Sequence, residues 1–168
     1  MDPVDEHIAQ WRIERPDLSE RGLQAMALFA RLGRLTTRVG PAIEALLARH
    51  ELTIGEFDLL AALRRSGEPF TLTPGALSKA MMLSPSATTN RLDRLERDGM
   101  VSRALDPGNR RSMLVTLTGE GREVVDRAVV AHVANEQRLL ESLTADQVDH
   151  LNDLLRTLLA GVSAPAGG

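Results

Sequence analysis

Between Arg21 and His50, apolar side chains recur at Leu28, Leu32, Leu35, Val39, Ile43, Leu46 and Leu47, steps of three and four that put them on one face of a long helix. Pro41 falls inside this pattern, as a kink or a local break. Thr53 and Glu56 have capping-box spacing, and Phe57, Leu60 and Leu63 then share a face, which predicts a short helix over 54–65 ended by Ser66 and Gly67. Thr73-Pro74 and Ser84-Pro85 repeat one start signal, an N-cap hydroxyl followed by proline at the first helical position. They predict helices over 74–81 and from 85 to 98, the second stopped by Gly99. A short helix, a tight turn and a longer helix make a helix-turn-helix.

After Gly99 the period changes. Met100 to Leu105 and Ser112 to Leu117 flank the turn residues Asp106-Pro107-Gly108-Asn109, and the second run alternates apolar with polar, as a β-hairpin requires. Thr118 caps a long helix predicted over 119–143, and Thr144 with Gln147 caps a last one over 145–159. The small-residue stretch 161–168 has no periodicity and is expected to be a mobile tail. The fold class that follows is mainly α with a small β-hairpin wing. Its expected parts are an N-terminal helix extension (1–20), a helical dimerisation region (21–66 and 119–160) and a winged helix-turn-helix (67–118).

Composition narrows the function. The 168 residues are 43% apolar and include no cysteine, which excludes disulfides, thiolate metal sites and a thiol sensor. The N-terminus is acidic and no apolar run reaches about 18 residues, so no signal peptide or membrane span is expected, and the cytoplasm is the expected compartment. The net charge of −3 is unevenly spread. Residues 1–20 hold six acids against two arginines, whereas residues 79–111 hold seven basic groups against four acids. A basic segment coincident with a helix-turn-helix points to duplex DNA.

On the second helix of the motif, Leu92 and Leu95 face inward with Thr88 and Arg91, leaving Ser86, Thr89, Asn90 and Asp93 outward. Asn90 suits adenine, Ser84, Ser86 and Thr89 are short enough for groove entry, and Arg94 and Arg97 suit phosphates. The hairpin tip, Asn109, Arg110 and Arg111, suits the neighbouring backbone or minor groove. The competing reading is a helical pair and hairpin that serve only packing or protein interaction, with the arginines as a solvated face.

The run Leu83-Ser84-Pro85-Ser86-Ala87-Thr88-Thr89-Asn90-Arg91-Leu92-Asp93-Arg94-Leu95-Glu96 and the wing Asp106-Pro107-Gly108-Asn109-Arg110-Arg111-Ser112 resemble the multiple-antibiotic-resistance regulator (MarR) family. That resemblance implies a homodimer on a pseudo-palindromic operator. The family's wing has aspartate where this chain has Asn109. Trp11, Asp58, Arg91 and Arg103 fall where the urate-responsive PecS and HucR branch has its effector residues, and the same branch carries an extra N-terminal helix, placed here within Asp2 to Arg15.

The residue types fit a planar anionic purine, with Trp11 against the ring and an arginine neutralising the charge. Asp58 is expected to pair with Arg91 without effector, so that an anion disturbs the helix that reads DNA. The plainer alternatives are Trp11 as a packing anchor and Asp58–Arg91 as a structural ion pair, and a polycarboxylate such as citrate or aconitate is the rival effector. His7, His50, His132 and His150 have no metal-ligand spacing, and no phosphate loop or nucleophile motif occurs, so neither a metal, a cofactor nor an enzymatic activity is expected.

Overall fold

Each helix among the described residues starts on an Asp, Ser or Thr whose side-chain oxygen accepts a backbone N–H of the first turn. These caps set the element order in the computed structural model, which describes residues 2–162 with the side chain of Arg110 excepted. The order is α1 (Pro3–Glu14), α2 (Glu20–Ala48), α3 (Ile54–Arg65), β1 (Thr71–Leu72), α4 (Pro74–Met81), α5 (Pro85–Arg97), β2 (Val101–Asp106), β3 (Asn109–Leu117), α6 (Gly119–Leu139) and α7 (Ala145–Gly161). Residues 163–168 of the expected tail lie outside the described residues.

Three local outcomes differ from the sequence pattern. Pro41 sits inside α2 without ending it. The penultimate helix stops at Leu139, short of 143, because the chain tightens into a turn closed by the Leu143 N–H on the Leu140 carbonyl at 2.9 Å. A third strand, β1, pairs Thr71 with Thr116 and Leu72 with Val115, giving the sheet order β1-β3-β2. Its residues are too few to show alternation. It ties the base of the wing to the segment that leads into α4.

The core lies where α3, α4, α5, the sheet and the first half of α6 meet, around Leu59, Leu60, Leu63, Leu77, Leu92, Leu95, Val115 and Val125. Only the C-terminal end of α2 joins it, through Leu47 and the flanking Ile43. Residues 24–42 contribute no buried side chain, so α2 leaves the core as an arm with α1 packed along it. The predicted apolar face is largely uncovered there, with Leu28 at 48% and Leu35 at 55% exposure. α7 buries no residue at all.

The junction of α5, β2 and α6 is close-packed. The Thr118 hydroxyl donates to the Gly99 carbonyl at 2.7 Å, and a Cβ on Gly121 would stand 2.0 Å from the Met100 carbonyl oxygen. Gly121→Ala is therefore expected to lower stability by about 1–3 kcal/mol through overpacking. Gly119→Ala, at a position with nothing within 4 Å, should be neutral or mildly stabilising in the same urea titration.

Candidate nucleic-acid interface and effector cleft

The helix-turn-helix is locked by one buried hydroxyl. Thr88, at 1% exposure, accepts a hydrogen bond from the Ser78 hydroxyl at 2.9 Å and donates to the Ser84 carbonyl at 3.1 Å, which fixes α4 against the start of α5. The opposite face of α5 is then free. Ser84, Ser86, Thr89 and Asn90 are all exposed on it. Ser84 caps the helix through the Ala87 N–H, and Thr89 donates to the Pro85 carbonyl at 2.9 Å, so its methyl and lone pairs remain outward.

At the wing tip, Asp106 accepts from the Gly108 N–H at 2.8 Å and Asn109 from the Arg111 N–H at 3.2 Å. Asn109 thus shapes the turn backbone, and Arg111 is exposed at its edge.

The arginines expected to meet phosphate or effector divide into two kinds. Arg94 lies 3.0 Å from the Glu56 carboxylate, which is 3% exposed, and 3.7 Å from Asp98. Glu56 also accepts from both the N–H and the hydroxyl of Thr53 at 2.8 Å, so one carboxylate caps α3 and holds α5. Arg103, on β2, lies 2.7 Å from Asp93 and donates to Glu96 at 2.9 Å, strapping the wing to α5. The Arg103 guanidinium holds the Glu96 carboxyl below the usual carboxylate range.

Arg91 is different. Its guanidinium lies over Gly55 in the first turn of α3, where a Cβ would be 2.4 Å from Cζ, and no carboxylate stands within ion-pair distance among the described residues. The expected Asp58–Arg91 pair is not formed at that distance. Asp58 is exposed as a residue, yet lost hydration pushes its carboxyl pKa up, outweighing the attraction of Arg65, His132 and Arg91. Asp58 and Arg91 therefore share one end of α3 without touching. Trp11 is not part of that cluster: it is 43% exposed and lines a groove made only by its own helix, with His7, Gln10 and Glu14.

The capping box at Thr53 and Glu56 is legible in the sequence, but the reach of Glu56 to Arg94, 38 residues on, carries no local signal. Nor does the need for glycine at position 55. A cleft of about 1050 Å³ opens where α2 ends, with Arg49, Arg94 and Arg127 facing Glu51, Asp98 and Glu120. Its opposed charges cancel, and it holds none of Trp11, Asp58, Arg91 or Arg103. No group of three metal-ligating side chains occurs among the described residues, and no described helix is long and apolar enough to cross a membrane.

An anchored short helix, an exposed second helix and a two-stranded arm beside it define a winged-helix DNA-binding protein. The chain belongs to the MarR family, whose model matches residues 50–112, and within it to the PecS branch. It is 37% identical to the HTH-type transcriptional regulator PecS of Dickeya dadantii over 152 residues, 90% of each chain. Among solved structures it resembles a MarR variant of E. coli complexed with operator DNA, at 30% identity and a TM-score of 0.68, covering 77% of this chain and 94% of that one. It also resembles Sco5413 of Streptomyces coelicolor, a MarR family transcriptional regulator, at 26% identity and a TM-score of 0.72, covering 83% and 96%. The protein is a DNA-binding transcriptional regulator and not an enzyme.

Two outcomes follow from the carboxylates. Arg94→Ala should destabilise more than Glu56→Gln, by about 1–3 kcal/mol in urea, because it leaves a buried charge short of its cation while the second variant removes the charge. For Asp58 the native pKa lies above the unfolded value, so its contribution to stability is complete below about pH 3.9 and is lost as pH rises through the native pKa. Asp58→Asn is thus expected to raise the melting temperature near neutral pH, with the gain vanishing in acid.

Proposed function

We propose that the protein is a homodimeric, cytoplasmic repressor that presents one α5 helix to each half of a pseudo-palindromic duplex, with half-sites about one helical turn apart, and releases it on binding a small anion. Urate or a related purine is the effector. The observation that carries this reading is Arg91: a guanidinium without a carboxylate partner, seated on the first turn of α3 and belonging to the helix that faces DNA.

A helix N-terminus and a free guanidinium together attract an anion. An anion there draws on Arg91 and repels Asp58, and both effects act on the packing of α5 against α3. Ser84, Ser86, Thr89 and Asn90 read the major groove, and Arg110 and Arg111 meet the backbone beside it, with Asn109 shaping the turn between them. Arg94 and Arg103 serve by position: they hold α5 and the wing in place through Glu56, Asp93 and Glu96. The uncovered apolar faces of α2 and α7 support the dimer.

A retardation assay on a duplex from the protein's own promoter region tests this. Wild type should bind, and replacing Arg110 and Arg111 by alanine should weaken binding and reduce the salt slope by about 0.9 for each phosphate no longer neutralised. Urate should weaken the complex and quench the one tryptophan, Trp11. An unretarded duplex sinks the regulator's proposed mode. A response to citrate with none to urate transfers the site to polycarboxylates.

A further inference from the structure

Three successive helices of the winged lobe end on a residue in the left-handed region: α3 at Gly67 (φ 76°), α4 at Met82 (φ 51°, ψ 38°) and α5 at Gly99 (φ 73°). Glycine takes this conformation readily, whereas the Cβ of any other residue crowds the following carbonyl, so methionine there is strained. The turn does not call for the side chain. Backbone alone closes it, with the Leu83 N–H on the Ser78 carbonyl at 3.0 Å. Phe70, also left-handed, has a use for its ring, which lies under the Arg64 and Arg122 guanidiniums at 5.2 and 5.6 Å. Met82 is 93% exposed, so its thioether gains next to no packing in the protomer.

The distribution of exposed apolar groups in the lobe points the same way. Between residues 43 and 129, the large apolar side chains exposed among the described residues are Met82, Leu105 at 58% and Met113 at 37%. Leu105 and Met113 are opposite each other on β2 and β3. All three therefore lie on the turn that leads into α5 or on the wing that follows it.

We infer that Met82 is an apolar contact to duplex DNA, seated at the edge of the groove that α5 enters. The inference rests on the reading above that the outward face of α5 meets the bases. The duplex is the occupant because the turn is continuous with that face: Met82 stands three residues after exposed Lys79 and two before Ser84, the exposed cap of α5. In a helix-turn-helix the first helix crosses the phosphate backbone and the second enters the major groove by its N-terminal end, so the residue between them stands where backbone and groove meet. The apolar groups offered there are thymine methyl groups and deoxyribose carbons, and an unbranched thioether adapts its shape to either. Strain with no return in the free protein is then offset in the complex, as at other residues kept for function at the expense of stability.

Retardation of the promoter duplex and urea titration of the same variants test this together. Met82→Gly removes the strain and the side chain, and it should raise the urea midpoint yet weaken binding about five- to tenfold. Met82→Gln keeps the length and the backbone restriction but is polar, and it should weaken binding without raising the midpoint. Met82→Leu, still apolar, should recover most of the loss. The salt slope should stay at the wild-type value throughout, because no phosphate contact is removed. Uracil in place of thymine locates the contact: a loss in wild type that disappears in Met82→Gly assigns it to thymine methyl groups, and no loss assigns it to deoxyribose.

Asn90→Ala separates this inference from the docking reading. Weaker binding by that variant, with Met82→Gly and Met82→Gln at wild-type affinity, leaves the docking face standing and overturns the contact. A loss in Met82→Gly alone belongs to a loosened turn and overturns it equally. Loss at Met82 with none at Asn90 supports the contact and removes Asn90 from the reading of bases. A duplex indifferent to all of these substitutions overturns both.

Discussion

The Glu56 carboxylate holds the DNA-reading half of the molecule together. A buried carboxylate is costly unless every lone pair is met, and here the N–H and hydroxyl of Thr53 meet one oxygen while the Arg94 guanidinium meets the other. The same group thus ends the unsatisfied first turn of α3 and fixes the azimuth of α5. Thr88 does the equivalent work toward α4. With α5 held at both flanks, its outward face is fixed in place, which is the condition the proposed reading of base edges by short side chains such as Ser86 and Thr89 requires.

This arrangement also explains how a chain of net charge −3 binds a polyanion. Two arginines of the basic segment, Arg94 and Arg103, are paired with acids on α3 and α5, so much of the apparent surplus is internal bracing. What remains for DNA includes exposed Lys79 on α4, Arg97 on α5 and Arg111 at the wing, and steering depends on local potential more than on the total. Arg91 forms no ion pair among the described residues and lies over Gly55 of α3, not on the outward face of α5, so it has a second task to offer.

The helix starts are almost fully legible in the sequence, because a hydroxyl or carboxylate before a proline or a capping-box acid is a local signal that burial does not alter. The wing is legible for the same reason. Strand β1 is not: two residues after Phe70 gain their structure from β3, more than forty positions away. For the site, residue types are readable and partners are not. By type Arg94 suits a phosphate, and only the fold sets Glu56 beside it. By type Asp58 suits Arg91, yet lost hydration outweighs that neighbour in moving its carboxyl pKa. Spacing gives the long α2, but not the way α1 folds back along it through Arg31 and Glu20, which is what sets Trp11 apart from the other three residues.

The seat of Arg91 on α3 bears on how an anion there would be read out. An effector can shift an equilibrium only by its differential affinity for two states. An anion at Arg91 would act on the fit of α5 against α3, which Glu56 braces through Arg94. That fit also sets where the recognition helix stands relative to the rest of its lobe. Operator binding depends on that same variable, because both recognition helices must meet half-sites at a fixed separation. Arg91 touches both demands: it bears on the first turn of α3 and is carried by the helix whose position the DNA selects.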